Sequence, residues 1–147
     1  GNISHALGLA ECRLNDVVIL LDGDDWLSSS MTLKRLCKEH EDGNCSLTYG
    51  SYVYHPMGTP GVEPSEYPED VIKNNTFRQD RWRASHLRTF RHSLWKHLDH
   101  KDLRSRYIPD VLHVYNKENP LNIDKNKAQE QYALAQKIRE KTPYTSL

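Results

Sequence analysis

The apolar positions of this chain change period several times, and each change predicts an element. Within 3–14, Ile3, Ala6, Leu7, Leu9 and Ala10 fall at helical spacing behind Asn2, a residue suited to an N-cap. An Asn15-Asp16 turn leads into Val17-Val18-Ile19-Leu20-Leu21. Five aliphatic residues without a break predict a strand buried on both faces. Ser28-Ser29-Ser30 then precedes Met31, Leu33, Leu36 and Cys37, the pattern of an amphipathic helix with a serine cap, and 40–44 close it as a C-cap and turn. Residues 45–54 alternate and carry Thr, Tyr and Val, which predicts a strand.

From 55 to 80 no period persists, and prolines and glycines crowd 55–68, so this stretch is expected to be a loop. Long loops in compact domains commonly carry function, and a disordered linker is the plainer alternative. On a helix over about 84–98, Leu87, Phe90, Leu94 and Leu98 would form the buried stripe. A last strand is expected over 108–115, a turn over 116–120, and a closing amphipathic helix over 128–141 built on Ala128, Tyr132, Ala135 and Ile138. No internal repeat or low-complexity tract interrupts the series.

Composition narrows the classes. A length of 147 residues suits one domain. Twenty basic and twenty acidic side chains cancel, so no global field calls for nucleic acid or an anionic membrane. The apolar fraction of 37% is low and fits a small or incomplete core. No apolar run is long enough to span a bilayer. Cys12, Cys37 and Cys45 form no CxxC spacing, so reduced thiols in a cytoplasmic protein are expected. Sequons begin at Asn2, Asn44 and Asn74, and without a secretory signal they are expected to be chance.

The candidate chemistry follows the aliphatic strand. Asp22, Asp24 and Asp25 place three carboxylates within four positions, and their mutual repulsion calls for a counter-charge. Hard oxygen ligands suit Mg²⁺ or Mn²⁺, and ligands of open parallel sheets bind beyond the carboxyl ends of the strands. The bland alternative is a solvated surface turn, for which Asp22-Gly23 is a good signal. Five apolar residues before the carboxylates and Trp26-Leu27 directly after them favour the metal site.

Residues 77–104 are the most basic stretch, with Phe77, Trp82, Phe90 and Trp95 interleaved among the arginines, lysines and histidines. Basic residues among aromatics can hold single-stranded nucleic acid. Diphosphate recognition is preferred, because arginine offers planar, bidentate donors and the carboxylates need a phosphate-bearing ligand. The dullest reading is a solvated helix face.

The stretch VVILLDGDDWL resembles the Asp-x-Asp strand of family 2 glycosyltransferases. Residues 2–10 resemble the helix before that motif, and Leu47-Thr48-Tyr49-Gly50-Ser51-Tyr52 the strand after it. Trp82-Arg83-Ala84-Ser85-His86-Leu87-Arg88-Thr89-Phe90 and Val114-Tyr115-Asn116-Lys117-Glu118-Asn119-Pro120-Leu121-Asn122 resemble two later blocks of one bacterial and viral subgroup.

The resemblance implies an α/β class and a Rossmann-like glycosyltransferase-A fold, a mixed sheet flanked by helices. It implies one partial domain over 1–147: a DxD-bearing core at 1–54, a loop at 55–80, and an acceptor-side and carboxyl-terminal helical region at 81–147. The implied activity is metal-dependent transfer of a sugar from a nucleotide-diphosphate donor to a sugar or protein acceptor. Asp24 and Asp25 would hold Mn²⁺ or Mg²⁺, while Asp22, Asp24, His86 and Arg88 would face the nucleotide-sugar. The family's first strand and helix have no counterpart here, so the fold is expected to lack its N-terminal strands. The acidic stretch that commonly carries the base is also absent. Asp99, Asp102 and Asp110 are possible stand-ins, and their spacing selects none. A non-catalytic binding or assembly domain of the same fold is the alternative.

Overall fold

The computed structural model describes residues 2–42, 45–62, 64–96, 104–121 and 127–141. Its elements run α1 (Asn2–Leu9), β1 (Val17–Leu20), β2 (Trp26–Leu27), α2 (Thr32–Asp42), β3 (Leu47–His55), β4 (Thr59–Pro60), α3 (Glu69–Lys73), β5 (Arg88–Arg91), α4 (His92–Lys96), β6 (Ser105–Asn116) and α5 (Ala128–Arg139). The strands form one curled mixed sheet in the order β1-β5-β3-β6-β2, with β4 hanging on β3, and helices flank it. No described helix is long and apolar enough to cross a membrane.

Strand directions decide where the site can form. β5 runs antiparallel to both β1 and β3, and β6 runs parallel to β3. β1, β3 and β6 therefore point the same way, and their carboxyl ends share one edge of the sheet. The core lies between α2 and the sheet: Leu36, Leu87, Ile108 and Leu112 are buried, with Ile19 and Leu27 packed against them. A polar ladder runs through the same layer. His40 Nε2 meets Thr89 Oγ1 at 2.7 Å, Thr89 Oγ1 meets Thr48 Oγ1 at 2.5 Å, and all three residues are buried. Such groups survive in a core because each has a partner.

Two expectations are corrected. The stretch 84–98 is not one helix: Arg88–Arg91 is a strand and His92–Lys96 a short helix. Pairing with β1 and β3 overrides the helical spacing, and Thr89 and Phe90 are buried by that pairing while Leu94 is half-buried. Leu98 lies outside the described residues. Second, β1 is not buried on both faces. Its four residues are all half-buried, and β5 is its only partner strand among the described residues.

α1 stops at Leu9, short of the expected limit of 14, and the remaining expected elements lie nearer their expected limits. α2 begins beyond Ser29, whose Oγ accepts from Met31 N–H at 3.2 Å, as a serine cap should. The expected closing turn at Gly43 and Asn44 lies outside the described residues. The expected loop at 55–80 contains two short elements, β4 and α3. α5 forms where the spacing placed it, but none of its residues is buried.

Candidate functional site

The acidic residues leave β1 at the shared edge of β1, β3 and β6. A turn closed by Asp25 N–H donating to Asp22 O at 3.1 Å carries the chain back into β2, which pairs with β6 through Trp26–Val114 and Leu27–His113. That return delivers Asp25 to the carboxyl end of β6. His113 Nε2 lies 2.8 Å from Asp25 Oδ2, and the Asn116 backbone N–H donates to Oδ1 at 2.8 Å. The two side chains are 0% and 1% exposed. A carboxylate removed from water in this way needs both bonds. Asp24 is also tied to the chain beyond β6, accepting from Asn119 Nδ2 at 2.5 Å. Asp22 is exposed and makes no side-chain hydrogen bond among the described residues.

His86 and Arg88 reach the same place from β5. Arg88 pairs in register with Leu20, the last residue of β1. The His86 ring stacks on His113 at 4.7 Å and 15°, with Tyr52 and Tyr115 against it at 5.4 and 5.7 Å. Two glycines keep this wall in place. A Cβ on Gly50 would stand 3.1 Å from Ile108 O and 3.6 Å from His86 O, and one on Gly61 would enter the Tyr52 ring at 2.1 Å. Burial is the largest cause pushing the His86 imidazole below its ordinary pKa, ahead of repulsion from His113 and Arg88; Asp22 and Asp25 oppose it. His113 is lowered first by burial too, against the pull of its Asp25 bond. Both rings are therefore neutral near pH 7. With Nε2–H given to Asp25, His113 Nδ1 is left buried without a partner, as is Arg88 Nε.

Four other arginines of the basic stretch are committed to the fold, while the exposed Arg104 meets Ser46 only through its backbone. Arg91 bonds the carbonyls of Asn15, His40 and Cys45, and Arg83 bonds Asp80 and Ser65. Arg81 reaches Ser65 and Arg78 reaches Lys141 O. Arg88 alone in this set has a buried guanidinium nitrogen with no partner.

The structure thus brings Asp22, Asp24, Asp25, His86 and Arg88 together, and adds His113, Asn116 and Asn119. The expected block 114–122 contained the two asparagines without assigning them a role, and His113 stands just before it. Of the candidate bases, Asp110 is held by Arg35 Nε at 2.9 Å, and Asp99 and Asp102 lie outside the described residues. No group of three or more His, Cys, Asp or Glu side chains is arranged to hold a metal among the described residues. The donors at the tip nevertheless suit a hard cation that takes one or two carboxylates and completes its shell with water and phosphate oxygens. Asp24 and the open Asp22 offer such oxygens, whereas both oxygens of Asp25 already accept protein hydrogen bonds. Compared with models of known protein families and with curated proteins, the chain matches none.

Proposed function

We propose that this chain is the nucleotide-sugar half of a metal-dependent glycosyltransferase of glycosyltransferase-A type. One observation carries the reading: an acidic strand tip, a neutral histidine and an arginine with a buried, unpartnered Nε meet at one edge of the sheet. Arg88 Nε itself is closed to solvent, so a phosphate oxygen would meet the outer Nη donors of Arg88, where guanidinium–phosphate contacts are charge-assisted. Asp24 and Asp22 would hold Mn²⁺ or Mg²⁺, with Asp25 as a support whose bonds to His113 and Asn116 fix the turn. Bound there, the cation would act as a Lewis acid for the departing nucleoside diphosphate. Arg88 would orient the diphosphate, and His86 would close the wall beside the sugar.

Mn²⁺ with UDP or GDP should raise the melting temperature. Ligand at tenfold over its Kd adds about 1.4 kcal/mol, a rise of several degrees. Asp24→Asn should abolish the rise and Arg88→Ala should reduce it. Unchanged melting at millimolar ligand would remove the reading. A non-catalytic binding domain is favoured by a different observation, the lack of a base among the placed candidates: Asp110 is engaged elsewhere. It predicts the same thermal shift without donor hydrolysis or transfer.

A further inference from the structure

We propose that a second site, near the opposite end of β6 from the acidic tip, binds a neutral saccharide. Arg106 lies seven residues before His113 in β6, which places the two ends roughly 20 Å apart at strand spacing. There a cleft of about 640 Å³ is lined by Arg35, Glu39, Glu66, Tyr67, Arg106 and Tyr107, among others. That volume is within the range of small-ligand clefts, about 300–1,000 Å³. It shares no residue with the proposed nucleotide-sugar site and does not depend on it.

The lining is charged but balanced: two guanidiniums face two carboxylates. Glu39 fixes both guanidiniums, taking Arg106 Nη1 at 2.8 Å on one oxygen and Arg35 Nη1 on the other, while Asp110 holds Arg35 Nε at 2.9 Å. Each guanidinium carries five N–H donors, so most remain for a ligand. The Glu66 carboxylate and the Tyr67 hydroxyl make no hydrogen bond among the described residues. Behind them the Tyr49 ring packs at 5.8 Å on both Tyr67 and Tyr107, and its hydroxyl donates to Ser65 O at 3.1 Å.

Fixed donors, open acceptors and aromatic rings suit a molecule with an apolar ring face and an edge of hydroxyls, each able to donate and accept. An anion would meet Glu39 and Glu66, and a polyamine would meet Arg35 and Arg106. An acyl chain would meet a mostly polar wall. A saccharide conflicts with none of them.

The test is amide NMR of the whole chain titrated with maltose, cellobiose, chitobiose and lactose, with orthophosphate and spermidine as charged comparators. At least one disaccharide should give saturable shifts at 66–67 and 105–107 in the millimolar range, leaving the amides of Asp24 and His113 unmoved. Arg106→Ala and Glu66→Gln change exposed side chains, and Arg106→Ala leaves Glu39 paired with Arg35. Unmoved amides elsewhere will show that each variant is folded, and each should weaken binding about tenfold. The proposal is overturned if no disaccharide gives a saturable shift, if the shifts survive both substitutions, or if phosphate or spermidine acts more strongly than every sugar.

Discussion

His113→Ala tests how the acidic tip is held. Two losses add. The Asp25 carboxylate, 1% exposed, loses one of its two hydrogen-bond donors, and a hydrogen bond to a charged group is worth about 1.5–3 kcal/mol. The substitution also empties a fully buried volume beneath the His86 ring, which stacks on His113 at 4.7 Å. Truncating a buried side chain of this size costs about 2–4 kcal/mol. The site can relax and the two terms overlap, so the expected loss is about 4 kcal/mol. A domain with a total stability of about 5–15 kcal/mol would feel that strongly.

Urea unfolding at neutral pH, followed by circular dichroism, measures the loss as a lower midpoint with little change in slope. Asp25→Asn keeps the shape and the ability to accept from Asn116 N–H, so it should cost only about 1 kcal/mol. In Asp25→Asn/His113→Ala the pair is already broken, so the two losses should fall short of additivity by about 1–3 kcal/mol. A His113→Ala loss below about 1 kcal/mol, or additivity within about 0.5 kcal/mol, would refute the idea that this buried pair fixes the turn.

Two further outcomes follow from the same packing. His40, His86 and His113 are all held below the ordinary value of 6.5, burial being the largest cause in each. The unfolded chain therefore binds protons that the folded chain refuses. This stability is complete above 6.5 and is lost as pH falls through it, each histidine contributing at most about 1.4 kcal/mol per pH unit. Urea midpoints should drop between about pH 7.5 and 5.5, and a flat or rising profile would contradict the burial of these rings. Gly61→Ala should cost about 1–3 kcal/mol, because its Cβ would stand 2.1 Å from Tyr52 Cζ and force that ring off His86 and His113. A thermal melt matching the parent protein would show that Tyr52 can yield freely.

What could be read from the residues, and what could not, divides by range. β1 was visible because five aliphatic residues in a row have few other uses, but a run of one strand carries no record of how many neighbours will cover it. The segment at 84–98 misled for a related reason. Leu87, Phe90 and Leu94 suit a helix, yet Thr89 is drawn into the core by Thr48 and His40, partners 41 and 49 residues away. Asp22, Asp24 and Asp25 look equivalent in the sequence, and the fold makes them different. β6 arrives parallel to β3, and its carboxyl end brings His113 to Asp25 across 88 residues and Asn119 to Asp24 across 95. Asp25 thereby becomes a buried strut, Asp24 a carboxylate tethered to Asn119, and Asp22 an exposed one. No local window contains that division, because the groups that create it belong to a strand whose pairing is settled only when the sheet closes.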